Sequence, residues 1–413
     1  MKSDLDRLLA ERNIDAALVS GRVHGNPIMY YMTNGAKLTH GIVIKAAGRP
    51  AVLGYYPMER DEAAKVGMDT INLGQFNPHK LAKEAGSHLG GAVLLYQKLF
   101  EQLGVSGRVA FYGEQDQGKS FTLLNELQAQ TPNITVVSEY ENTIFDRAQL
   151  TKDAAEVERM KQMGRKTAAA MQVAIEFIQR HRVKDGVMVQ EDNSPLTVGD
   201  VKRQVLRVLF ELGLEDPHGM IFGIGRDAGV PHTAGNASDL LRLGETIVFD
   251  LYPREAGGGY FHDMTRTFSL GYARPEVQEI YNQVKFCYNQ VVAALQVNEL
   301  GKTYQDLTCD VFEELGHETI RENSQVENGY VHSLGHGVGL ELHSRPRLSG
   351  SELNHDRLVP GSVFSLEPGL YYPDKGYGVR LEDLWTVDQD GQFHCLTDFP
   401  KELVVPVGNQ SST

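Results

Sequence analysis

"IVFDLYPREAGGGYFHDMTRTF", residues 247–268, places two acidic residues in apolar surroundings on either side of a glycine-rich turn. The apolar run at its start predicts a buried strand that carries Asp250 at its end. The turn at 257–259 brings the chain back, and Asp263 opens a second strand in which alternate residues share a face. Two ionised carboxylates in such surroundings repel each other, and one takes a proton unless a cation lies between them. The stretch therefore predicts a hairpin, in which each acid alone could be a cap or lie in a solvated turn, and in which the two together favour a cation.

Two further acids and one histidine lie in similar stretches. Glu367 follows the apolar run "VFSL", and Glu382 lies between leucines in "GVRLEDLWTV". Acidic side chains are seldom fully buried unless they are paired or bind a metal. His336, in "HSLGHGVGLELH", is flanked by glycines, which let the backbone approach a site closely. Four carboxylates and one imidazole suit two hard or borderline divalent ions that share bridging oxygens.

The composition is that of an ordinary globular protein. The 413 residues are 41% hydrophobic and 23% charged, and the formal net charge of -14 argues against a non-specific nucleic-acid binder. The charged, amphipathic start predicts no signal peptide, and no apolar run reaches the roughly 20 residues of a membrane span. The three cysteines are far apart and predict neither a disulfide framework nor a cysteine-based zinc site. We expect a cytoplasmic protein that binds neither nucleic acid nor membranes.

The pattern of the chain changes near residue 150, which predicts two domains. The first 150 residues alternate between helical and strand patterns and contain no dense cluster of ligand-type residues, so this part is expected to be α/β. Its longest helical stretch is predicted over 80–104, weakened by Gly90 and Gly91. The remainder is expected to be α+β and to hold the chemistry.

Four helices are predicted in the second part. The first runs from Thr151 to Arg182, with an apolar stripe that indicates core packing. The second begins after an N-cap at Thr197, has Asp200 in a capping-box position and ends at Gly213. The others are predicted at roughly 274–297 and 303–322, and strands at 245–252, 262–270, 362–372 and 378–387.

The candidate ligands, taken in order, resemble the five metal ligands of the dinuclear pita-bread metallopeptidases. That family includes Xaa-Pro dipeptidase, aminopeptidase P and methionine aminopeptidase. The matching residues are Asp250, Asp263, His336 in "GHGVGLELH", Glu367 in "EPGLYYP" and Glu382 in "GVRLED". Pro231–His232 and the segment "TKDAAEVERM" are similar to the family as well. Five ligands in order, each in its own motif, make a specific signal, whereas any single motif would be weak.

The resemblance covers about residues 150 to 405 and implies a domain organisation. Residues 151–413 are expected to form a pita-bread catalytic domain. Residues 1–150 are similar to the N-terminal domain of the creatinase, prolidase and aminopeptidase P branch. The expected fold class is therefore α+β, with the catalytic domain preceded by a smaller α/β domain of the creatinase type.

The resemblance also implies a role for each ligand. Asp263 and Glu382 would bridge both metals, Asp250 would complete one site, and His336 with Glu367 would complete the other. Glu367 would also accept a proton as the bridging water attacks.

The resemblance implies roles at or near the scissile bond for three other residues. His232 and His343 would bind substrate and stabilise the tetrahedral intermediate. Arg380 would orient Glu382 or contact substrate. For His332, the sequence leaves open a supporting role and a substrate contact.

The activity implied by the resemblance is hydrolysis of the bond between an N-terminal residue and proline in an Xaa-Pro dipeptide. The alternative is aminopeptidase P activity on longer peptides with proline second. Two divalent ions per chain are expected, chosen from manganese, cobalt, zinc and iron, with manganese first. A homodimer is expected, because relatives commonly dimerise through the N-terminal domain.

Two departures from the family pattern concern the substrate side. The interval between Asp250 and Asp263 is 263 − 250 = 13 residues, about two longer than usual in the family. Ser344 stands after His343, where an acid is expected. The residue that would hold the free carboxylate of a dipeptide is not assigned, and the candidates are Arg345, Arg347 and Arg357.

Other classes fit the sequence less well. A non-enzymatic pita-bread scaffold that binds protein partners would typically have lost the ligands, and a creatinase-like hydrolase works without metal. A mononuclear iron oxygenase favours two histidines and one acid, the opposite of the balance here. A methionine aminopeptidase would not usually carry the leading domain.

Overall fold

The computed structural model describes residues 1–408 of the chain, which divides into two compact units. The first comprises Met1–Gln149 together with Gly257–Gly259, and the second comprises Leu150–Ala256 and the chain from Tyr260 onwards. The last five positions of the predicted catalytic domain, 409–413, lie outside the described residues. Among residues 1–408, no helix is both long and apolar enough to span a membrane.

The first unit is built on a six-stranded mixed sheet with the order β4-β3-β2-β1-β5-β6. β1 pairs antiparallel with β2 and parallel with β5, as expected for an α/β arrangement. The strands are β1 (Ala16–Gly21), β2 (Gly41–Ala46), β3 (Val52–Tyr55), β4 (Asp69–Asn72), β5 (Gly107–Tyr112) and β6 (Ile134–Val137). The helices are α1 (Leu5–Glu11), α2 (Pro27–Thr33), α3 (Arg60–Ala63), α4 (Pro78–Glu84), α5 (His88–Leu103), α6 (Gln117–Gln130) and α7 (Ile144–Leu150).

The helical stretch predicted over 80–104 is two helices, α4 and α5. Ser87 caps α5 by accepting a hydrogen bond from the backbone N–H of Gly90, so the chain turns where one helix was expected. A Cβ at Gly91 would lie 2.6 Å from Cα of Ala82. The two glycines that lower helix propensity therefore lie where α4 and α5 pack closest together.

The second unit contains four long helices: α8 (Ala154–Gln179), α9 (Val198–Glu211), α10 (Pro275–Ala294) and α11 (Gly301–Glu314). The capping box of α9 forms as predicted, with Thr197 accepting from the backbone N–H of Asp200 at 3.2 Å and Asp200 accepting from the N–H of Thr197 at 2.9 Å. The prediction for α11 was wrong at its end. The helix stops at Glu314, and Gly316, with φ 86°, turns the chain away.

Two sheets of the second unit carry the candidate site. The first has the order β10-β11-β13-β21, and the second has the order β15-β14-β16-β19-β20. The strands of the first are β10 (Ile221–Ile224), β11 (Thr246–Leu251), β13 (Met264–Leu270) and β21 (Val404–Val405). Those of the second are β14 (Gly335–Gly337), β15 (Ser344–Leu348), β16 (Val363–Leu366), β19 (Asp383–Val387) and β20 (Phe393–Cys395).

Three strand pairs complete the unit: β7–β8, β9–β12 and β17–β18. Their bounds are β7 (Arg182–Lys184), β8 (Val187–Val189), β9 (Leu214–Glu215), β12 (Arg254–Glu255), β17 (Gly369–Tyr372) and β18 (Tyr377–Arg380). Each of the two strands predicted at 362–372 and 378–387 is therefore interrupted, next to Glu367 and Glu382 respectively. One apolar core packs α8 and α9 on the first sheet, and a second packs α10 and α11 on the other.

Candidate metal centre

The hairpin of β11 and β13 carries the first two acids. Asp250 lies in β11 and is paired in register with Thr265, while Asp263 immediately precedes β13. Every residue of both strands is buried, and Asp250 and Asp263 are 7% and 4% exposed. The apolar residues that predicted a buried strand thus place two carboxylates inside the protein.

The remaining candidates come from the second sheet and its edges. His336 is the middle residue of β14, Glu367 follows β16, and Glu382 lies between β18 and β19. A Cβ at Gly335 would lie 2.1 Å from the carbonyl oxygen of Ser365, and one at Gly337 would lie 2.0 Å from that of Arg345. The glycines beside His336 are therefore required by the neighbouring strands, which approach the backbone of β14 on both sides.

All five predicted ligands line one cavity of about 540 Å³. The Nε2 atom of His336 lies 3.4 Å from Oε1 of Glu367 and 3.7 Å from Oδ2 of Asp263. One ligand atom each from Asp263, His336 and Glu382 lies within 4.8 Å of the others. The cavity is lined by His218, Gly219, Ile221, Pro231, His232, Ala234, Asp250, Tyr252, Asp263, His332, Ser333, His336, Leu342, His343, Glu367, Arg380 and Glu382.

Burial makes the acids costly to ionise without a cation. Desolvation, followed by the charges of Asp250 and Glu367, raises the pKa of Asp263 well above its usual range. Desolvation and the charge of Asp263 do the same to the pKa of Glu382, and desolvation raises the pKa of Glu367 to about 8. Desolvation lowers the pKa of His336 to about 3, so its imidazole is neutral, the form that binds metals.

Unpaired oxygens in the same cluster show that the residues fit a metal. Oδ1 of Asp250, Oδ1 of Asp263 and Oε1 of Glu382 are buried and have no hydrogen-bond partner within residues 1–408. Buried polar atoms are normally paired, and a buried carboxylate oxygen without a donor leaves its desolvation uncompensated. Oxygen ligands of this kind, with one imidazole, are a donor set that divalent ions accept.

Arg380 lines the cavity and is buried, and its guanidinium makes four hydrogen bonds. Its Nη2 donates to Oδ2 of Asp250 at 2.6 Å, and its Nε donates to Oγ1 of Thr265 at 3.1 Å. Oγ1 of Thr265 in turn donates to Oε2 of Glu382 at 2.8 Å. The guanidinium therefore contacts Asp250 directly and is linked to Glu382 through Thr265. The predicted role of Arg380, to orient Glu382 or contact substrate, stays a prediction.

Tyr371, a residue that sequence reasoning missed, connects Arg380 to His332. Nη1 of Arg380 donates to the hydroxyl of Tyr371 at 2.9 Å, and Nε2 of His332 lies 2.8 Å from the same hydroxyl. Nδ1 of His332 lies 2.7 Å from the carbonyl oxygen of Ser333 and must donate to it, so Nε2 accepts from Tyr371. His332 thus belongs to a hydrogen-bonded chain and also lines the cavity.

The two predicted substrate histidines face the same cavity. His232 and His343 are exposed and line it, and the ring of His343 lies 4.3 Å from that of His336, centroid to centroid. Desolvation and then the neighbouring imidazoles of His232 and His218 lower the pKa of His343. His218 and Tyr252 also line the cavity and were not predicted. Tyr252 directly follows β11, the strand of Asp250, whereas His218 reaches the site through the folding of its loop.

The basic residues considered as carboxylate anchors lie elsewhere. None of Arg345, Arg347 and Arg357 is among the residues that line the cavity. The guanidinium of Arg345 pairs with Asp356, and that of Arg357 donates to the carbonyl oxygen of Asn298 at 2.6 Å. Ser344, the other departure, begins β15 and has a buried hydroxyl.

Comparison with known proteins identifies the family of the chain. The sequence profile of metallopeptidase family M24 matches residues 158–389, more than half of the 413-residue chain. The chain therefore belongs to metallopeptidase family M24, and the family resemblance predicted from the five motifs is confirmed.

Curated relatives match over part of their length. The chain is 30% identical over 210 residues to the Mycobacterium tuberculosis protein named "Probable dipeptidase PepE", which is 51% of this chain and 52% of that protein. It is 33% identical over 188 residues to the Xaa-Pro dipeptidase of Pyrococcus furiosus, which is 45% of this chain and 48% of that protein. The chain thus aligns with about half the length of these relatives.

A solved structure shares the whole fold. The Xaa-Pro dipeptidase from Bacillus anthracis superposes with a TM-score of 0.75 at 22% identity, covering 98% of this chain and 99% of that one. The predicted fold class, α+β with a smaller α/β domain in front, is confirmed.

Proposed function

We propose that this chain hydrolyses the peptide bond between an N-terminal residue and proline in Xaa-Pro dipeptides, using two divalent metal ions. The observation that carries the proposal is the convergence of Asp250, Asp263, His336, Glu367 and Glu382 on one cavity. The Pyrococcus furiosus relative is an Xaa-Pro dipeptidase by name, which supports the choice of substrate.

The metals would be held by the five residues in the pattern that the family resemblance implies. Asp263 and Glu382 would be shared between the ions, Asp250 would bind one, and His336 and Glu367 the other. When bound, two such ions supply a water of lowered pKa and polarise a substrate carbonyl. Manganese is the proposed native metal, because oxygen-rich sites suit it and availability selects among similar ions.

The chain's own side chains have distinct tasks. Glu367 accepts a proton from the attacking water, the role that the family resemblance implies. His232 and His343 face the cavity and are free to donate to a substrate carbonyl oxygen. Arg380 holds Asp250 in place through a bond of 2.6 Å and is too occupied by its four partners to bind substrate.

An assay of Ala-Pro beside Ala-Pro-Ala, in the presence of manganese, tests the proposal. Faster cleavage of the dipeptide supports Xaa-Pro dipeptidase activity. Faster cleavage of the tripeptide moves the assignment to aminopeptidase P. Cleavage of neither peptide by a protein that binds two ions overturns the substrate class, and failure to bind metal points to a non-enzymatic scaffold.

Assembly and location form a further part of the proposal. The first unit has a core of its own, and within residues 1–149 no three His, Cys, Asp or Glu side chains are placed to share a metal. We assign it to dimerisation and substrate selection, and light scattering that shows a monomer at micromolar concentration would contradict this. We also place the protein in the cytoplasm, which cell fractionation tests.

A further inference from the structure

The cavity offers a substrate carboxylate no free cation. Arg380 is the one lysine or arginine among its lining residues within 1–408, and it is 2% exposed. Its guanidinium already donates to Asp250, Thr265, Tyr371 and the carbonyl of Pro231. A dipeptide ends in a carboxylate next to the scissile bond, so a dipeptidase of this fold must hold that group by other donors.

Three histidines are among the exposed residues of the lining. His218, His232 and His343 are exposed residues that line the cavity. Within residues 1–408 the ring nitrogens of all three lack a hydrogen-bond partner. A neutral imidazole carries one N–H donor, and a donor facing a carboxylate makes a charge-assisted hydrogen bond. His232 and His343 already have roles at the scissile bond, which leaves the donor of His218 without one.

The loop that carries His218 is held in a fixed shape. The carboxylate of Asp216 accepts from the backbone N–H groups of Gly219, at 3.0 Å, and Met220, at 2.7 Å. The hydroxyl of Tyr252 donates to the carbonyl oxygen of Gly219 at 2.6 Å. Since Tyr252 follows β11, the loop is attached to the strand that carries Asp250.

The long Asp250–Asp263 hairpin supports the same histidine. Its strand β12 pairs with β9 just before the loop, and Arg254 of β12 binds Glu215 of β9 at 2.6 Å. At the other end of the hairpin, the ring of Phe261 stacks under that of His218, 5.7 Å between centroids and 18° between planes. The Asp250–Asp263 hairpin, which is longer than is usual in the family, thus supports the loop and the ring of His218.

We infer that His218 is a substrate-binding residue that donates a hydrogen bond to the free carboxylate of the dipeptide. This inference rests on the proposed function. It assigns to His218 the binding of the substrate carboxylate, for which the cavity lining offers no free arginine. A hydrogen bond to a charged group contributes about 1.5–3 kcal/mol, which corresponds to roughly 10- to 100-fold in binding. The contact distinguishes an acid from an amide, because an amide cannot offer a charged acceptor.

The test compares Ala-Pro with its amide, Ala-Pro-NH2, in the metal-loaded wild type, His218→Ala, His218→Gln and the control His355→Ala. His355 is exposed and lies outside the cavity lining. For His218→Ala, KM for Ala-Pro should rise about 10- to 100-fold while kcat stays within about threefold and KM for the amide stays unchanged. His218→Gln, which keeps an N–H donor, should recover part of the loss.

A binding measurement by NMR, which does not depend on turnover, accompanies the kinetics. The ring proton signal of His218, assigned by its disappearance in His218→Ala, should shift when L-proline is added and stay in place with L-prolinamide.

Other results would contradict either the role of His218 or the proposed dipeptidase function. If the wild type cleaves Ala-Pro and His218→Ala behaves like His355→Ala, or loses the acid and the amide equally, the anchor is wrong and the proposed function stands. If the wild type cleaves neither substrate, the proposed function is wrong and the anchor with it.

Discussion

Arg380 and Asp250 form an ion pair inside the protein, with 2.6 Å between Nη2 and Oδ2 and side chains that are 3% and 11% exposed. Breaking a buried pair from one side leaves the other charge uncompensated, which is more damaging than the loss of a surface pair. Asp250 is a proposed metal ligand and Arg380 is not. Through this pair, Arg380 positions a metal ligand without binding the metal itself.

Arg380→Lys should therefore weaken metal binding. A lysine keeps the charge, but it cannot bond Asp250, Thr265 and Tyr371 together as the guanidinium does. We expect affinity for the weaker-bound manganese ion to fall about 10- to 100-fold, as is typical when a partner of a ligand is changed. Calorimetric metal titration measures this, with Arg345→Lys, which pairs with Asp356 outside the cavity lining, as the matched control. Affinity within threefold of the wild type would contradict the role.

Glu382→Gln should have opposite effects with and without metal. In the metal-free protein at pH 8 the amide removes an acid whose ionisation the buried cluster disfavours and offers an N–H group to neighbouring carboxylates, so the melting temperature should rise by about 1–2 °C per kcal/mol gained. Added manganese should then stabilise the wild type but not the variant.

The pH dependence of that gain follows from the raised pKa of Glu382. An acid whose pKa is higher in the folded protein binds more protons there, so the folded state loses stability as pH rises from the unfolded pKa through the folded one. With metal removed by a chelator, the melting temperature of Glu382→Gln should exceed that of the wild type by a large margin at pH 8, and the difference should disappear near pH 4. If Glu382→Gln melts at a lower temperature than the wild type at pH 8 with a chelator present, the buried carboxylates do not destabilise the metal-free protein.

His232→Ala and His343→Ala should separate binding of metal from turnover. Neither histidine is a proposed ligand, so both variants should bind two ions while kcat falls by roughly 10²–10⁴-fold, the range of acid–base and oxyanion contributions. Metal analysis of the purified variants and steady-state kinetics measure the two quantities, with His355→Ala as the control. Loss of an ion from either variant would place that histidine among the ligands.

Lys152→Met should raise stability more at neutral than at alkaline pH. Lys152 is 3% exposed, and desolvation lowers its pKa from 10.5 to about 8. A base whose pKa is lowered on folding binds fewer protons in the folded state between these values, so wild-type stability rises with pH from about 8 to 10.5. The stability gap between Lys152→Met and the wild type should therefore shrink by about 2 kcal/mol between pH 7 and pH 9.5.

Urea unfolding at the two pH values measures that gap. Lys161→Met, at an exposed position of α8, is the control and should show little change with pH. A gap for Lys152→Met that stays constant would mean that water reaches the buried ammonium group.

The residues that could be predicted from the sequence are those with a local signature. Asp250, Asp263, Glu367 and Glu382 could be found because an acid inside an apolar run conflicts with its surroundings, and His336 because glycines flank it. The capping box of Thr197 and Asp200 is likewise a local interaction, and it forms where the sequence placed it.

The residues that escaped prediction act through tertiary contacts. His218 reaches the cavity because its loop is held against the residue that follows β11. Tyr371 lies in the quoted stretch "EPGLYYP", but its bonds to Arg380 and His332 depend on how the chain folds. The break between α4 and α5 depends on Ser87 accepting a backbone hydrogen bond, a cap that competes with continuation of the helix. The hydrogen bond from Arg380 to Asp250 could not be predicted because it joins β18 to β11, which are far apart in the sequence.

The glycines beside His336 connect the proposed metal site to main-chain pairing. The carbonyls of Ser365 and Arg345 occupy the space on each side of β14 that side chains would otherwise fill, so the backbone position of His336 is set by strand spacing. A motion that separates β14 from β16 or β15 would move the imidazole away from Asp263 and Glu382. Loss of this proposed ligand and local opening of the sheet would therefore occur together.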